Sequence, residues 1–206
     1  KQMAENITKT FGPELKIRIL DISSEHFSWP DFSRQGRKVS DGSSKNLTLI
    51  YPAAPYKHKN HLLLNKISHI NIAEVILTLN KKDFPTELET VRFIGRVSRE
   101  HIYELYKEVD ALLFLSSYES LGLPIFEAIK CNLPIICPRE EYTRNLHSEN
   151  CFLFDINNPN SLEEAISRVF DRLTLGWWPD WSFKKIINQD KNISIEEIIL
   201  EETIKI

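Results

Sequence analysis

Residues 111–138 read ALLFLSSYESLGLPIFEAIKCNLPIICP, and three segments of that stretch decide the fold class. ALLFL at 111–115 is apolar at every position, the pattern of a short strand buried on both faces. LPIFEAIK at 123–130 places its apolar residues at helical spacing, with Pro124 in the first turn, where a missing N–H leaves no bond unmade. LPIIC at 133–137 is again a short apolar strand. A strand, a helix and a strand in so short a span form a crossover between parallel strands.

The same alternation extends in both directions. LTLIY (47–51), AEVILTL (73–79), VRFIG (91–95) and CFLF (151–154) read as strands, and HKNHLLLNKI (58–67) and SREHIYELYKEV (98–109) as helices. Ser161 and Glu164 form a capping-box pattern opening the helix LEEAISRVFDRL. The expectation is an α/β domain with a Rossmann-like doubly wound parallel sheet over residues 47–172. Residues 1–22 predict a polar helix and the strand LKIRILDI, an interdomain connection. Residues 23–46, rich in Ser, Gly and charge, predict an irregular loop, and 173–206 a C-terminal helical segment. Within 173–206 Trp177, Trp178 and Trp181 cluster, and their expected role is packing onto the core rather than membrane or partner contact.

Composition excludes several classes. The 206 residues are 42% hydrophobic and 27% charged, as in an ordinary globular domain. A net charge of −3 argues against a nucleic-acid coat. No apolar run approaches the roughly 18–20 residues that span a bilayer, so no transmembrane segment is expected. Three cysteines without C-x-x-C spacing suggest a reducing, cytoplasmic setting. The chain opens on Lys1 rather than Met, so a piece of a longer protein is expected.

Parallel sheets bind ligands at the carboxyl ends of their strands. Neither G-x-G-x-x-G nor a P-loop is found there, and no zinc pattern. After ALLFL come Glu119 and Glu127, separated by Gly122-Leu123-Pro124. A helix start carries unpaired N–H groups and a dipole that favours anions. The two carboxylates can face a polyhydroxylated ligand while the amides between them face its phosphates. Each feature also has a purely structural reading. Ser116-x-x-Glu119 is itself a capping-box pattern, Glu127 could be a solvated helix residue, and Gly-Leu-Pro could be a plain turn.

ESLGLPIFE (119–127) resembles the E-x7-E motif of the retaining glycosyltransferases of family 4 and their relatives, the glycosyl transferases group 1, which have the GT-B fold. LIYPAAPYKHKNHLLL (49–64), residues 91–138 and FLFDINNPNSLEEAISRVF (152–170) resemble further segments of that family in the same order. The likeness covers most of Leu47 to Asp171 and concerns only the donor-binding half of such an enzyme. It implies that Glu119 bonds the transferred sugar, with the main chain of Leu121, Gly122 and Leu123 holding sugar and phosphate. It implies a ribose site at Glu127, a pyrophosphate-neutralising role for Lys59, and a base-gripping loop at Gly95, Arg96 and Val97. Where many relatives carry an Arg five positions before the lysine, this chain has Ala54, and the nearby Lys57 reads as an exposed loop lysine rather than a substitute. His58 and His61, at i, i+3 spacing, fit helix-surface histidines better than half a metal site.

The resulting expectation is a nucleotide-sugar-binding domain of a retaining glycosyltransferase of hexosyltransferase type. It would move a sugar, with mannose one candidate, from a UDP- or GDP-sugar to a glycan or lipid-linked acceptor. The alternative is a non-catalytic regulatory module binding the same ligand. A flavodoxin-like signalling domain fits the element order but leaves the carboxylate pair unexplained. No metal or other cofactor is expected. The acceptor would be met by an N-terminal domain outside the chain, leaving this piece inactive alone. Bacterial polysaccharide synthesis is the implied setting, at a cytoplasmic or peripheral cytoplasmic-face location.

Overall fold

The structure, a computed structural model, describes residues 46–67, 71–119, 122–143, 146 and 149–181. All of them belong to one compact unit, Phe32–Trp181. The expectations for 1–22, for 23–45 and for the chain beyond Trp181 lie outside the described residues.

Six strands form one parallel sheet: β1 (Leu47–Tyr51), β2 (Ile72–Leu77), β3 (Val91–Phe93), β4 (Ala111–Leu113), β5 (Ile135–Pro138) and β6 (Cys151–Phe154). Their order is β3-β2-β1-β4-β5-β6, and every neighbouring pair is parallel. Chain order reverses between β1 and β4, which leaves a crevice beyond their carboxyl ends. Consecutive residues of β4 are wholly buried, as are Leu49, Ile50 and Tyr51 of β1, so both faces of the central sheet are covered. The doubly wound reading of the sequence holds.

Three α-helices serve this sheet among the described residues: α1 (Arg99–Glu108), α2 (Leu123–Lys130) and α3 (Pro159–Thr174). Helix α1 is capped by Ser98, whose side chain accepts from the His101 N–H, and buries Ile102, Tyr103, Leu105 and Tyr106. Helix α2 packs on β4, and α3 on β6.

Two helix expectations need correction. HKNHLLLNKI is not an α-helix but two 3-10 turns, Lys57–Lys59 and His61–Lys66. Asn60 divides them in the left-handed region (φ 50°), held there as its side-chain amide donates to the Leu115 carbonyl at 3.0 Å. Helix α3 begins before Ser161: Asn158 is the cap, its side chain accepting from the Asn160 N–H, and Pro159 opens the first turn. Ser161 instead closes the preceding turn, accepting from the Asp155 N–H at 2.8 Å. The predicted strand 73–79 ends at Leu77 because the Thr78 hydroxyl takes over, accepting from the Ala53 N–H at 2.9 Å.

Trp181 and Trp177 pack as expected. Trp181 is buried and its indole N–H donates to the Leu133 carbonyl at 2.8 Å, while Trp177 lies edge-on to Phe152. Trp181→Phe keeps most of the bulk but leaves that buried carbonyl without the indole donor. A loss of about 1–2 kcal/mol is expected in urea denaturation, with an unchanged denaturant slope. An unaltered midpoint would show that the bond contributes nothing.

Candidate functional site

The loops leaving β1 and β4 are joined at the crevice by buried polar contacts. The Tyr51 hydroxyl donates to the Lys59 carbonyl at 2.8 Å and lies 3.0 Å from the Ser116 hydroxyl. Because the Tyr51 proton is already committed, Ser116 donates in the second contact. The Ser117 N–H and hydroxyl both donate to the His58 carbonyl, at 2.8 and 3.2 Å. Tyr142 reaches across from the β5 side, its hydroxyl donating to the Ser116 carbonyl at 2.5 Å. Burial holds the Tyr51 and Tyr142 hydroxyls far above the usual phenol range, so both stay protonated as donors.

Lys59 and Glu119 form an ion pair across this join, with side chains 15% and 12% exposed. Ser116 therefore does not cap a helix with Glu119: its hydroxyl is used by Tyr51, and α2 starts later. Gly122 takes the N-cap position of α2 with φ 61°, no side chain caps it, and Pro124 sits in the first turn. A left-handed residue at that point favours glycine, since a side chain there costs about 1–2 kcal/mol. Leu123 is partly exposed at the helix start, and Leu121 lies outside the described residues.

Glu127, on α2, is buried rather than solvated. The Tyr106 hydroxyl donates to its Oε2 at 3.0 Å, and Arg99 stands 3.4 Å from its Oε1. Burial raises the carboxyl above its usual range, against the pull of Tyr106 and Arg99. Sequence reasoning missed Arg99, Tyr103 and Tyr106, although their i, i+4, i+7 spacing on α1 marks one helix face. The Arg99 guanidinium lies 5.4 Å from the Tyr103 ring centroid.

Gly95, Arg96 and Val97 follow β3. The Gly95 N–H donates to the Leu79 carbonyl at 2.9 Å, and its φ is 69°. Arg96 is exposed and Val97 partly so. The crevice thus gathers Lys59, Glu119, Gly122 and Leu123 at the ends of β1 and β4, with Gly95–Val97 two strands away. Ala54 and Lys57 are both exposed on the loop after β1. A separate concavity of about 540 Å³ lies at the ends of β5 and β6, lined by Arg139, Asp155, Ser161, Glu164 and Arg168 among others. No group of three or more metal-ligating side chains occurs among the described residues. No described helix is long and apolar enough to cross a membrane.

His61 corrects a further expectation, since it is buried, not a surface histidine. Its ring lies 5.0 Å from that of Tyr51, and its Nε2 has no hydrogen-bond partner among the described residues. Burial, reinforced by the Lys59 charge, lowers it from 6.5 to about 4. As pH falls through that window the unfolded chain takes up a proton that the folded chain refuses, so the stability held above 6.5 is lost toward 4. Urea denaturation across the window should show wild type losing stability relative to His61→Leu. A constant difference would contradict a buried neutral histidine. Tyr106→Phe, which removes a donor from Glu127, should cost about 1–2 kcal/mol in the same assay.

Residues 85–172 match the family model described as glycosyl transferases group 1. The chain is 26% identical over 106 residues to O-antigen chain mannosyltransferase B of Escherichia coli, covering 52% of this chain and 27% of that protein. It is 31% identical over 88 residues to the serotype-specific mannosyltransferase WbdA of Escherichia coli, covering 43% of this chain and 10% of that protein. The chain therefore spans only a minor part of the length of these relatives. Among solved structures it is similar to a variant of S. aureus TarM in complex with fondaparinux, alpha-GlcNAc-glycerol and UDP. The TM-score is 0.58 at 17% identity, over 77% of this chain and 35% of that one. Residues 85–172 are thus similar to the glycosyl transferases group 1, and the sheet has the Rossmann-like fold of a GT-B glycosyltransferase.

Proposed function

We propose that the crevice binds a nucleoside diphosphate sugar and that the protein is a retaining glycosyltransferase of hexosyltransferase type. The observation that carries this is the Lys59–Glu119 pair, set beside the uncapped start of α2 at the point where chain order reverses. A cation and backbone N–H groups there suit a diphosphate, and a carboxylate beside them suits sugar hydroxyls. The sugar–phosphate bond breaks with its electron pair on the diphosphate as an acceptor hydroxyl oxygen bonds the anomeric carbon and gives its proton to the departing diphosphate. Lys59 stabilises the diphosphate charge as it forms.

In this reading the donor lies along the carboxyl ends of the strands. Its base rests on the main chain of Gly95–Val97, and its ribose on Glu127. Two oxygens of Glu127 already meet Tyr106 and Arg99, but a carboxylate offers about four acceptor directions. Glu119, with the main chain of Leu121, Gly122 and Leu123, holds the transferred sugar. The mannosyltransferase relatives make GDP-mannose the donor to test first, and the UDP complex of TarM makes UDP-sugars the second series. The acceptor is a glycan or lipid-linked glycan, met at the cytoplasmic side in part by residues beyond those described, so that this chain alone binds donor without transferring it.

Calorimetry of the full chain with GDP, UDP and the bare nucleosides tests this assignment. Lys59→Ala should weaken diphosphate binding by about 1.5–3 kcal/mol and leave nucleoside binding unchanged. Glu119→Gln should leave diphosphate affinity unchanged or tighter, because it releases Lys59, while impairing sugar-nucleotide binding. Equal losses for diphosphates and nucleosides in Lys59→Ala would refute the pyrophosphate role.

A further inference from the structure

Two exposed tyrosines stack on a half-buried histidine beside the ion pair. Tyr56 stacks on His58 with ring centroids 5.8 Å apart and planes 9° from parallel. Tyr118 stacks on the same imidazole at 4.5 Å and 29°. Tyr56 and Tyr118 are 63% and 65% exposed, among the most exposed large apolar side chains of the described residues. These rings do little for the core, and leaving their faces in water forfeits the gain that burial would give.

The stack and the ion pair come from the same two dipeptides. His58 precedes Lys59, and Tyr118 precedes Glu119, so charge meets charge and ring meets ring across one join. Its backbone is fixed from beneath. Ser117 bonds the His58 carbonyl twice and Tyr51 bonds the Lys59 carbonyl, while the Lys59 N–H donates to the Tyr56 carbonyl at 2.9 Å. An exposed surface held this firmly is organised before any ligand arrives, which lowers the entropic cost of docking.

We propose that Tyr56, His58 and Tyr118 form a stacking platform for a pyranose ring of the acceptor glycan. A pyranose has an apolar C–H face bounded by hydroxyls, and tyrosine offers it an apolar ring with a polar edge. The choice of a sugar over a nucleobase rests on the donor placement proposed above. The base lies at β3, two strands and about 10 Å from β1, which leaves the platform at the sugar end of the crevice. The acceptor ring lies on the tyrosines with its hydroxyl rim turned toward Glu119 and the sugar to be transferred.

The full chain, with its tyrosine rings isotopically labelled, is titrated with α-mannotriose, and separately with guanosine and uridine, all without diphosphate. Saturable mannotriose binding that shifts the Tyr56 and Tyr118 ring signals is expected. Tyr56→Ala and Tyr118→Ala should each weaken it about three- to tenfold, and Tyr118→Trp should retain it. Both alanine variants, folded by circular dichroism, should bind GDP and UDP as wild type does. Nucleosides that shift the rings and displace mannotriose would overturn the proposal in favour of a base platform. Absence of saturable binding by mannotriose, or wild-type affinity in both alanine variants, would also overturn it. Mannotriose binding with no diphosphate binding would leave the platform standing and remove the donor reading. The reverse result would remove the platform alone.

Discussion

The hydroxyl of Tyr51 holds the candidate site together. It is buried at the last position of β1, donates to the Lys59 carbonyl and accepts from Ser116 at the end of β4. Removing it would strand the part-buried Lys59 carbonyl and the buried Ser116 hydroxyl, and a buried group left unpaired costs about 1–3 kcal/mol. Through that one oxygen the loop carrying Lys59 is tied to the loop carrying Glu119. A parallel sheet by itself holds its strands, not the loops beyond them, so the geometry of the crevice depends on this bond and on Ser117 and Tyr142 beside it.

The crevice follows from the topology. Chain order reverses between β1 and β4, so their following loops separate and leave the strand ends accessible. Most proteins with this sheet fill that opening with a ligand, and here a cation and a carboxylate meet across it. Their pairing keeps two partly buried charges compensated, where an isolated charge would be costly. A diphosphate offers Lys59 a second anionic partner at the same place. The neighbouring ring stack widens the same join into a surface suited to a bulkier, uncharged ligand.

The sheet was legible because its central strands are apolar at consecutive positions, a pattern that only burial on both faces explains. Helix α2 was legible from Pro124 and its spacing, and β6 matched CFLF to the residue. The segment after β1 was not, because Asn60 takes a left-handed conformation through a bond to Leu115, a residue 55 positions away. No local pattern encodes such a contact. Ser161 misled for a related reason: its hydroxyl serves the Asp155 turn, and the cap falls to Asn158. At the candidate site, Glu119 and Gly122 were singled out by type and position and Lys59 only through the resemblance, but the Lys59–Glu119 pairing was not legible. The partners of Glu127 came from α1, a segment that read in sequence only as a helix.

A structure of the full chain with GDP-mannose or a UDP-sugar would test the central claim most directly. The diphosphate is expected against Lys59 beyond the ends of β1 and β4, with the base at Gly95–Val97 and the sugar beside Glu119. A nucleotide seated instead in the concavity between Arg139 and Arg168, or a diphosphate with no contact to Lys59, would contradict the assignment of this crevice as the donor site.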